Sequence, residues 1–408
     1  MKKISALLLS LCLLLIGCTP KGASADLTVS ISSKGISESN LVEYGPLISD
    51  FGLRMLQSSW EEDKNILISP LSILSALSMT ANGADADTLR QMEAVLGADA
   101  ASLNGFLGGY PKLLNDQIHM ANALWIKDTP SLTVEESFLQ ANADYYGAGA
   151  FRAPFDNSTL RDINNWVEEH TDGQIPNMLD KIPEDAVIYL VNALAFEAEW
   201  EEIYESFQVR DARFTMEGGE VRTVSMMYST EHAYLETEKA TGFLKYYDGR
   251  RYAFAALLPR DGVSLEETVR SLDAQTLHEA LTKPQEITVH AAMPKFETEY
   301  SNELSEILIG MGMADAFDSS ISDFFRMGST NDGTNLCIGR VLHKTRITVA
   351  EEGTKAGAAT VVEMLAEGAA EIQAEYQIVT LDRPFLYMIV DTELMQPIFI
   401  GVMTVPNT

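Results

Sequence analysis

The sequence predicts a single large α+β domain, and three observations carry that prediction. Helix-type and strand-type hydrophobic patterns interleave along the 408 residues without the regular period of a βαβ fold. One helical segment is apolar nearly all round, which places it inside the domain rather than on its surface. Beyond residue 40 there is no linker, internal repeat or low-complexity block, so Leu41 to Thr408 parses as one unit.

The elements follow in order. Ser69-Pro70 is a helix start, with Ser as the N-cap and Pro at the first helical position. Leu71, Ile73, Leu74, Ala76, Leu77 and Met79 follow, and Asn82-Gly83 supplies the stop. Thr133 to Glu136 has capping-box spacing before a helix carrying Val134, Phe138 and Leu139, and another helix is expected around Leu160 to His170. Val187 to Phe196 is an apolar run interrupted by Tyr189 and Asn192. It reads as a central strand covered on both faces, in which Asn192 needs buried hydrogen-bond partners. From Arg340 the pattern alternates, with Val341, His343, Thr345, Ile347 and Val349 on the inner face of a half-buried strand. Phe385 to Val390 and Ile398 to Met403 flank the turn-rich Asp391 to Pro397 and read as a buried hairpin.

Composition narrows the function classes. With 46% hydrophobic and 22% charged residues the chain is neither disordered nor collagen-like. Its 29 basic and 59 acidic side chains give a formal charge of −30, which repels phosphate backbones and argues against a nucleic-acid partner. Lys2 and Lys3 precede an apolar run from Ile4 to Ile16, too short to span a bilayer but suited to a secretory signal. The run ends in Leu15-Ile16-Gly17-Cys18, which is similar to a bacterial lipobox and implies cleavage before Cys18 and lipidation of its thiol. Residues 1–17 are then a lipoprotein signal peptide, and their removal, two lysines included, leaves a charge of −32. Residues 18–40 form the lipidated cysteine and a flexible Ser/Gly/Lys-rich tether to a membrane. Cys12 leaves with the signal, so Cys337 remains alone; flanked by Leu336 and Ile338, it is expected to be a buried small hydrophobe.

Catalytic signatures are missing: the sequence has no nucleophile elbow, zincin helix, P-loop, dinucleotide fingerprint or C-x-x-C pair. Its six histidines lack ligand spacing, so neither a metal nor a cofactor is expected. Ser, His and Asp are all present and a triad is defined in space, which leaves a hydrolase open at this point. The segment Glu351 to Asp382 calls for explanation, because structureless loops of this length are uncommon in compact domains. Thr354, Ala356, Ala358, Thr360, Val362 and Met364 would share one face of a strand, all small or apolar. A segment written with strand patterning where a loop belongs is a candidate switch; the plainer readings are a strand, an Ala-rich loop, or a helical face bearing Glu363, Glu367, Glu371 and Glu375.

From about Leu41 onward the residues resemble a serpin. The matching motifs are Asn65 with Ser69-Pro70-Leu71-Ser72-Ile73, the stretch through Gly83 to Leu89, and Ile163-Asn164 with Trp166-Val167, Thr171, Gly173 and Ile175. Leu190-Val191-Asn192-Ala193 with Phe196 and Trp200, Pro294-Lys295-Phe296, and Gly312-Met313 with Ala316-Phe317 continue the series. Val341-Leu342-His343-Lys344, Glu351-Glu352-Gly353-Thr354 and Arg383-Pro384-Phe385-Leu386 complete it in the family's order. The resemblance implies a fold of three β-sheets with eight or nine helices and an exposed reactive-centre loop over about 351–376. It further implies no enzyme but a covalent, conformational-trapping inhibitor of serine proteases. The loop is attacked as substrate, forms an acyl-enzyme ester, and its freed half inserts as a new strand that carries the protease away.

Residue roles follow from the same resemblance. Gly353, Thr354, Ala356, Ala358, Ala359 and Thr360, with Gly357, form a permissive hinge; Lys355 departs from the usual pattern but falls on the outer face. Ser69, Ser72, Asn192 and His343 match a polar network that closes the large sheet below the insertion point. Lys295 and Glu351 match an ion pair at its top, and Trp200 a large side chain beside them. Counting the family's spacing from Glu351 puts the scissile bond at Glu367-Gly368. The loop is longer than usual on its C-terminal side, which leaves Ala366, Ala369 and Leu365, then Ala370 and Met364, as alternatives. No Lys or Arg lies between Ala356 and Ile378, so a trypsin-like target is not expected; the small and apolar candidates suit an elastase-like or chymotrypsin-like protease and Glu367 a Glu-specific one, with an elastase-like target favoured. The expected whole is a monomer, secreted across the cytoplasmic membrane and lipid-anchored in the cell envelope. A non-inhibitory serpin acting as a surface binding or structural protein is the alternative.

Overall fold

The computed structural model describes residues 24–27, 44–184, 186–354 and 376–406. Among these, nine α-helices and several sheets form one mixed α+β body. At its centre lies a six-stranded antiparallel sheet in the order Ala233–Glu236, Ala240–Tyr246, Tyr252–Pro259, Phe385–Asp391, Gln396–Met403 and Ile66–Ile68. Every residue of Tyr252–Pro259, Phe385–Asp391 and Gln396–Met403 is buried, as expected for strands written as continuous apolar runs, and the C-terminal hairpin is present. Gly242 belongs here by necessity, since a Cβ would lie 1.8 Å from the Ala256 carbonyl oxygen. A second sheet orders Tyr376–Thr380, Thr288–Pro294, Val221–Glu231 and Val209–Thr215, the first pair parallel.

The third sheet is opened into two halves. One half runs Ala25–Asp26, Gly149–Ala153, Ile118–Lys127, Ile188–Phe196; the other runs Phe296–Glu303, Leu342–Val349, Gly353–Thr354, Ala198–Glu199. Only Glu197 separates Ile188–Phe196 from Ala198–Glu199, so the halves are continuous through the backbone at one end. Elsewhere no ladder joins Ile188–Phe196 to Leu342–Val349 among the described residues. The central strand expected at Val187 to Phe196 is therefore an edge in hydrogen-bonding terms. Its apolar composition follows from cover on both faces, Leu194 and Phe196 packing in the core that holds the Pro70–Ala81 helix and Val191 and Ala193 in the one that holds Ile163 and Val167. With the halves counted together and the short ribbon Leu132–Val134/Gly328–Thr330 set aside, the three expected sheets are recovered.

The apolar helix spans Pro70–Ala81 beneath this opening, and the Ser69 side chain caps it by accepting from Ser72 N. Ten of its twelve residues are buried; the two that are not, Ser72 and Ala76, are one turn apart and face the opening. Its end is not the left-handed glycine stop expected at Asn82-Gly83. Asn82 stays helical, and Gly83 is required because a Cβ would meet Met327 Cβ at 2.5 Å. On the opposite face of the sheet, the helix Asn157–His170 buries Ile163 and Val167 against Trp125 and Val191. Asp156 caps it, and the helix begins three residues before the expected start.

Three further expectations are corrected. Thr133 is not a helix cap: Leu132–Val134 pairs as a strand with Gly328–Thr330, and the helix begins at Glu136 without a side-chain cap. A local capping signal lost here to a long-range ladder. Cys337 is exposed, not buried, in the irregular stretch leading into Leu342–Val349. Part of the expected tether is docked: Ala25–Asp26 pairs with Phe151 and Arg152, Leu27 N donates to Ala150 O at 2.8 Å, and Ser24 Oγ donates to Asp162 at 2.7 Å. Cys18, the signal segment and the rest of 18–40 lie outside the described residues. No helix among the described residues is long and apolar enough to cross a membrane.

Candidate functional site

Between the two half-sheets lies a slot of about 380 Å³. Val187–Asn192 forms one bank, Leu342–Lys344 the other, and the Pro70–Ala81 helix the floor. Among the described residues the facing backbones of the banks have no ladder partner across it, and such unfilled edges are a template for one more strand.

The chain's own hinge has entered the top of that slot. Gly353–Thr354 pairs antiparallel with Ala198–Glu199 on one side, and Thr354 opposes Val349 on the other. The reversal that makes this possible is closed by Ala350 N donating to Gly353 O at 2.9 Å. Gly353 tolerates no side chain, because a Cβ would sit 2.1 Å from the Ala198 carbonyl oxygen. Thr354 is 1% exposed, and its hydroxyl shares a 2.6 Å hydrogen bond with Tyr247. Burial pushes the Tyr247 phenol well above its ordinary pKa, so this pair stays neutral.

Several groups hold the reversal in place. Trp200 Nε1 donates to Ala350 O and Trp200 N to Glu352 O, both at 2.8 Å, while Tyr204 N donates to Glu351 O at 2.9 Å. The Trp200 ring stacks on Tyr247 at 4.3 Å. Lys295 and Glu351 form an ion pair at 2.8 Å. Their side chains are 43% and 32% exposed, so the pair contributes at most about 1 kcal/mol, and the backbone bonds and stacked rings carry more of the grip.

Lower down, the four residues expected to form one polar network fall into two groups. Ser69 N donates to His343 Nε2 at 3.1 Å, Ser69 Oγ accepts from Ser72 N at 3.3 Å, and Thr345 Oγ1 donates to Leu67 O at 2.8 Å. Asn192 belongs instead to the other bank: its Nδ2 donates to Asn122 Oδ1 at 2.8 Å, and Asn122 Nδ2 to Tyr146 O at 2.9 Å. Asn192 Oδ1 is buried without a partner among the described residues. The open slot separates the two groups, which is why the closing network is divided. His343 is buried, and desolvation lowers its pKa to about 4, so the ring is neutral and accepts from Ser69.

Sequence reasoning missed Tyr247, Tyr204 and Asn122. Tyr247 reaches the hinge through a single antiparallel bridge to Trp200, a register no local pattern announces. The remaining hinge candidates (Ala356, Ala358, Ala359, Thr360), the bond Glu367-Gly368 and its alternatives Ala366, Ala369 and Leu365 lie outside the described residues.

Among the described residues, the large sheet thus has a strand position left open, with Gly353–Thr354 paired at its head. The chain belongs to the serpin family: the family model described as serpin (serine protease inhibitor) matches residues 46–406. An uncharacterized serpin-like protein of Thermococcus kodakarensis is 32% identical over 372 residues, covering 88% of this chain and 85% of that protein. A leukocyte elastase inhibitor of Bos taurus is 31% identical over 366 residues, covering 84% and 93%. Among solved structures, the thermophilic serpin tengpin in its native state matches with a TM-score of 0.88 at 40% identity, covering 94% of this chain and 99% of that one. The same serpin in its latent state scores 0.79 at 39% identity, covering 92% and 100%. The fold thus lies nearer the native form.

Neutral burial of His343 has a pH consequence. Its pKa is depressed in the fold from 6.5 to about 4, so its contribution is intact above pH 6.5 and lost as pH falls toward 4. Between pH 7.5 and 5 this one group removes about 2 kcal/mol of unfolding free energy. In urea titrations at the two pH values, His343→Gln, which can still accept from Ser69, is expected to shrink the pH-dependent loss by that amount. An unchanged loss counts against a neutral buried ring.

Proposed function

We propose that this chain is a suicide inhibitor of serine proteases that works by conformational trapping. The observation that carries the reading is Gly353–Thr354 seated between two strands whose edges, among the described residues, stand open below it. A protease serine Oγ attacks the scissile carbonyl, the peptide bond gives way to an ester, and the new amine departs with the C-terminal side. The freed segment continues the strand that the hinge has begun. Thr354, Ala356, Ala358 and Thr360 turn toward the helix floor, and the backbone gains partners on both banks. If insertion outpaces ester hydrolysis, the protease is carried along the sheet and held.

The absence of Lys and Arg between Ala356 and Ile378 supports an elastase-like target over a trypsin-like one. The relatives named leukocyte elastase inhibitor favour the same preference. The family's spacing counted from Glu351 supports Glu367-Gly368 as the scissile bond, with Ala366, Ala369 and Leu365 as neighbouring alternatives. Lipidation at Cys18 would hold the monomer at the outward face of the cell envelope, and the lipobox-like Leu15-Ile16-Gly17-Cys18 supports that placement.

Mixing the protein with elastase and running denaturing electrophoresis is expected to show a stable covalent complex. Thr354→Arg should abolish it and leave only cleaved protein, because an arginine cannot enter the buried site beside Tyr247. Clean cleavage of the unmodified chain would instead indicate a non-inhibitory serpin.

Loop cleavage should also stabilise the fold. Burying roughly 400 Å² of apolar surface at ~25 cal/mol per Å² is worth about 10 kcal/mol, which for a domain of this size corresponds to a rise in melting temperature of roughly 10–15 °C. Calorimetry before and after nicking the loop measures it; an unchanged melting temperature speaks against insertion.

A further inference from the structure

Beneath the grip on the hinge lies a charge that the trapping mechanism does not require. Lys245, in the strand Ala240–Tyr246, is 2% exposed. Its Nζ donates to Glu231 Oε1 and to Glu202 O, each at 3.1 Å. The ammonium also stands 4.5 Å from the Tyr204 ring centre and 5.5 Å from that of Trp200. Glu231 is nearly buried as well and accepts from Ser229 Oγ at 2.7 Å; that hydroxyl lies 3.3 Å from Tyr204 Oη. Lys245, Glu231, Ser229 and Tyr204 thus form one connected circuit around a buried cation.

A buried ion pair is weak evidence for stability, since apolar residues of similar volume hold a core as well or better. What the pair supplies is position. Cation–π attraction and two fixed hydrogen bonds hold the ammonium between Tyr204 and Trp200. Those are the residues whose indole and backbone N–H groups hold Ala350, Glu351 and Glu352, the reversal from which the inserting strand departs.

We propose that Lys245 is a positioning residue for strand insertion. Its ammonium, oriented by Glu231, fixes Tyr204 and Trp200 so that the reversal at 350–353 is preformed and the hinge is already seated. The inference rests on the trapping mechanism for its consequence in inhibition, but hinge seating can be read without a protease. Removing the cation loosens the reversal and vacates the top of the slot. A free strand then enters faster, while the chain's own strand starts later after cleavage.

The test uses the full chain, with Lys245→Met and with the double variant Lys245→Met/Glu231→Leu, which replaces the pair by apolar volume. The first readout is the rate at which a synthetic peptide of residues 354–366 anneals to uncleaved protein, followed by native electrophoresis. The second is the number of inhibitor molecules consumed per elastase trapped. The double variant is expected to melt near the wild-type temperature, to anneal peptide about tenfold faster, and to need several times more inhibitor per trapped protease. Wild-type annealing by the folded double variant would overturn the proposal. So would failure of that variant to fold, since the pair would then be holding the domain and not the hinge. If the unmodified chain forms no complex with elastase, the inhibitory reading fails while the annealing rates still decide the role of Lys245.

Discussion

An unmet backbone is the constraint around which this molecule is arranged. Ile188–Phe196 and Leu342–Val349 face one another across a gap; among the described residues each is paired along its far side, and on the near side only Val349 has a partner, Thr354. Strand edges at the centre of a domain are costly, because they leave amides and carbonyls without ladder partners and apolar side chains without cover. The fold meets that cost partly by flooring the gap with a helix whose two least buried residues, Ser72 and Ala76, look into it. On the proposed mechanism the rest of the cost is carried as metastability, which insertion would discharge. The slot, the hinge and the divided polar network are three aspects of the same missing strand.

The top of the slot shows how such a state is kept ready without being released. Gly353 and Thr354 already occupy two strand positions, so the reversal of direction that the proposed insertion requires is in place. Starting a ladder from a fixed turn avoids most of the loop-closure entropy that seeding it anew would cost. The elements doing the fixing are mainly backbone bonds and stacked rings. The Lys295–Glu351 pair sits at the rim, where water and salt screen it. Removing a rim charge should thus matter less than misplacing the rings, whose position depends on groups buried below them.

How much of this could be read beforehand varies with the range of the interaction. The Ser69 cap, the inward face His343, Thr345, Ile347 and Val349, and the C-terminal hairpin are set by neighbours within a few residues, and all stand as the pattern indicates. The signals that misled were also local. The Thr133–Glu136 spacing is a sound capping box, but Gly328–Thr330 claims Thr133 for a ladder almost two hundred residues away in sequence. Cys337 has apolar neighbours yet lies where the chain runs along the mouth of the slot. The run Val187 to Phe196 is written as a central strand, and no hydrophobic pattern distinguishes an edge that is covered from one kept vacant. Tyr247 and Lys245 are invisible to periodicity because their importance comes from what a distant strand brings beside them.

The two ends of the slot restrain different steps. At the lower end, Ser69 donates to a neutral His343 on one bank, while Asn192 bonds to Asn122 on the other. A descending strand must part whatever still links those banks before its later residues can enter. At the upper end, Trp200, Tyr204 and Tyr247 hold the place from which it descends. Loosening the lower end lowers the resistance to insertion by any strand, whether from this chain or another. Loosening the upper end removes the advantage that a tethered strand holds over a free one. Selective self-insertion therefore depends on the contrast between a well-ordered entry and a resistant interior. A uniform softening of the sheet would erode that contrast even where the fold itself survives.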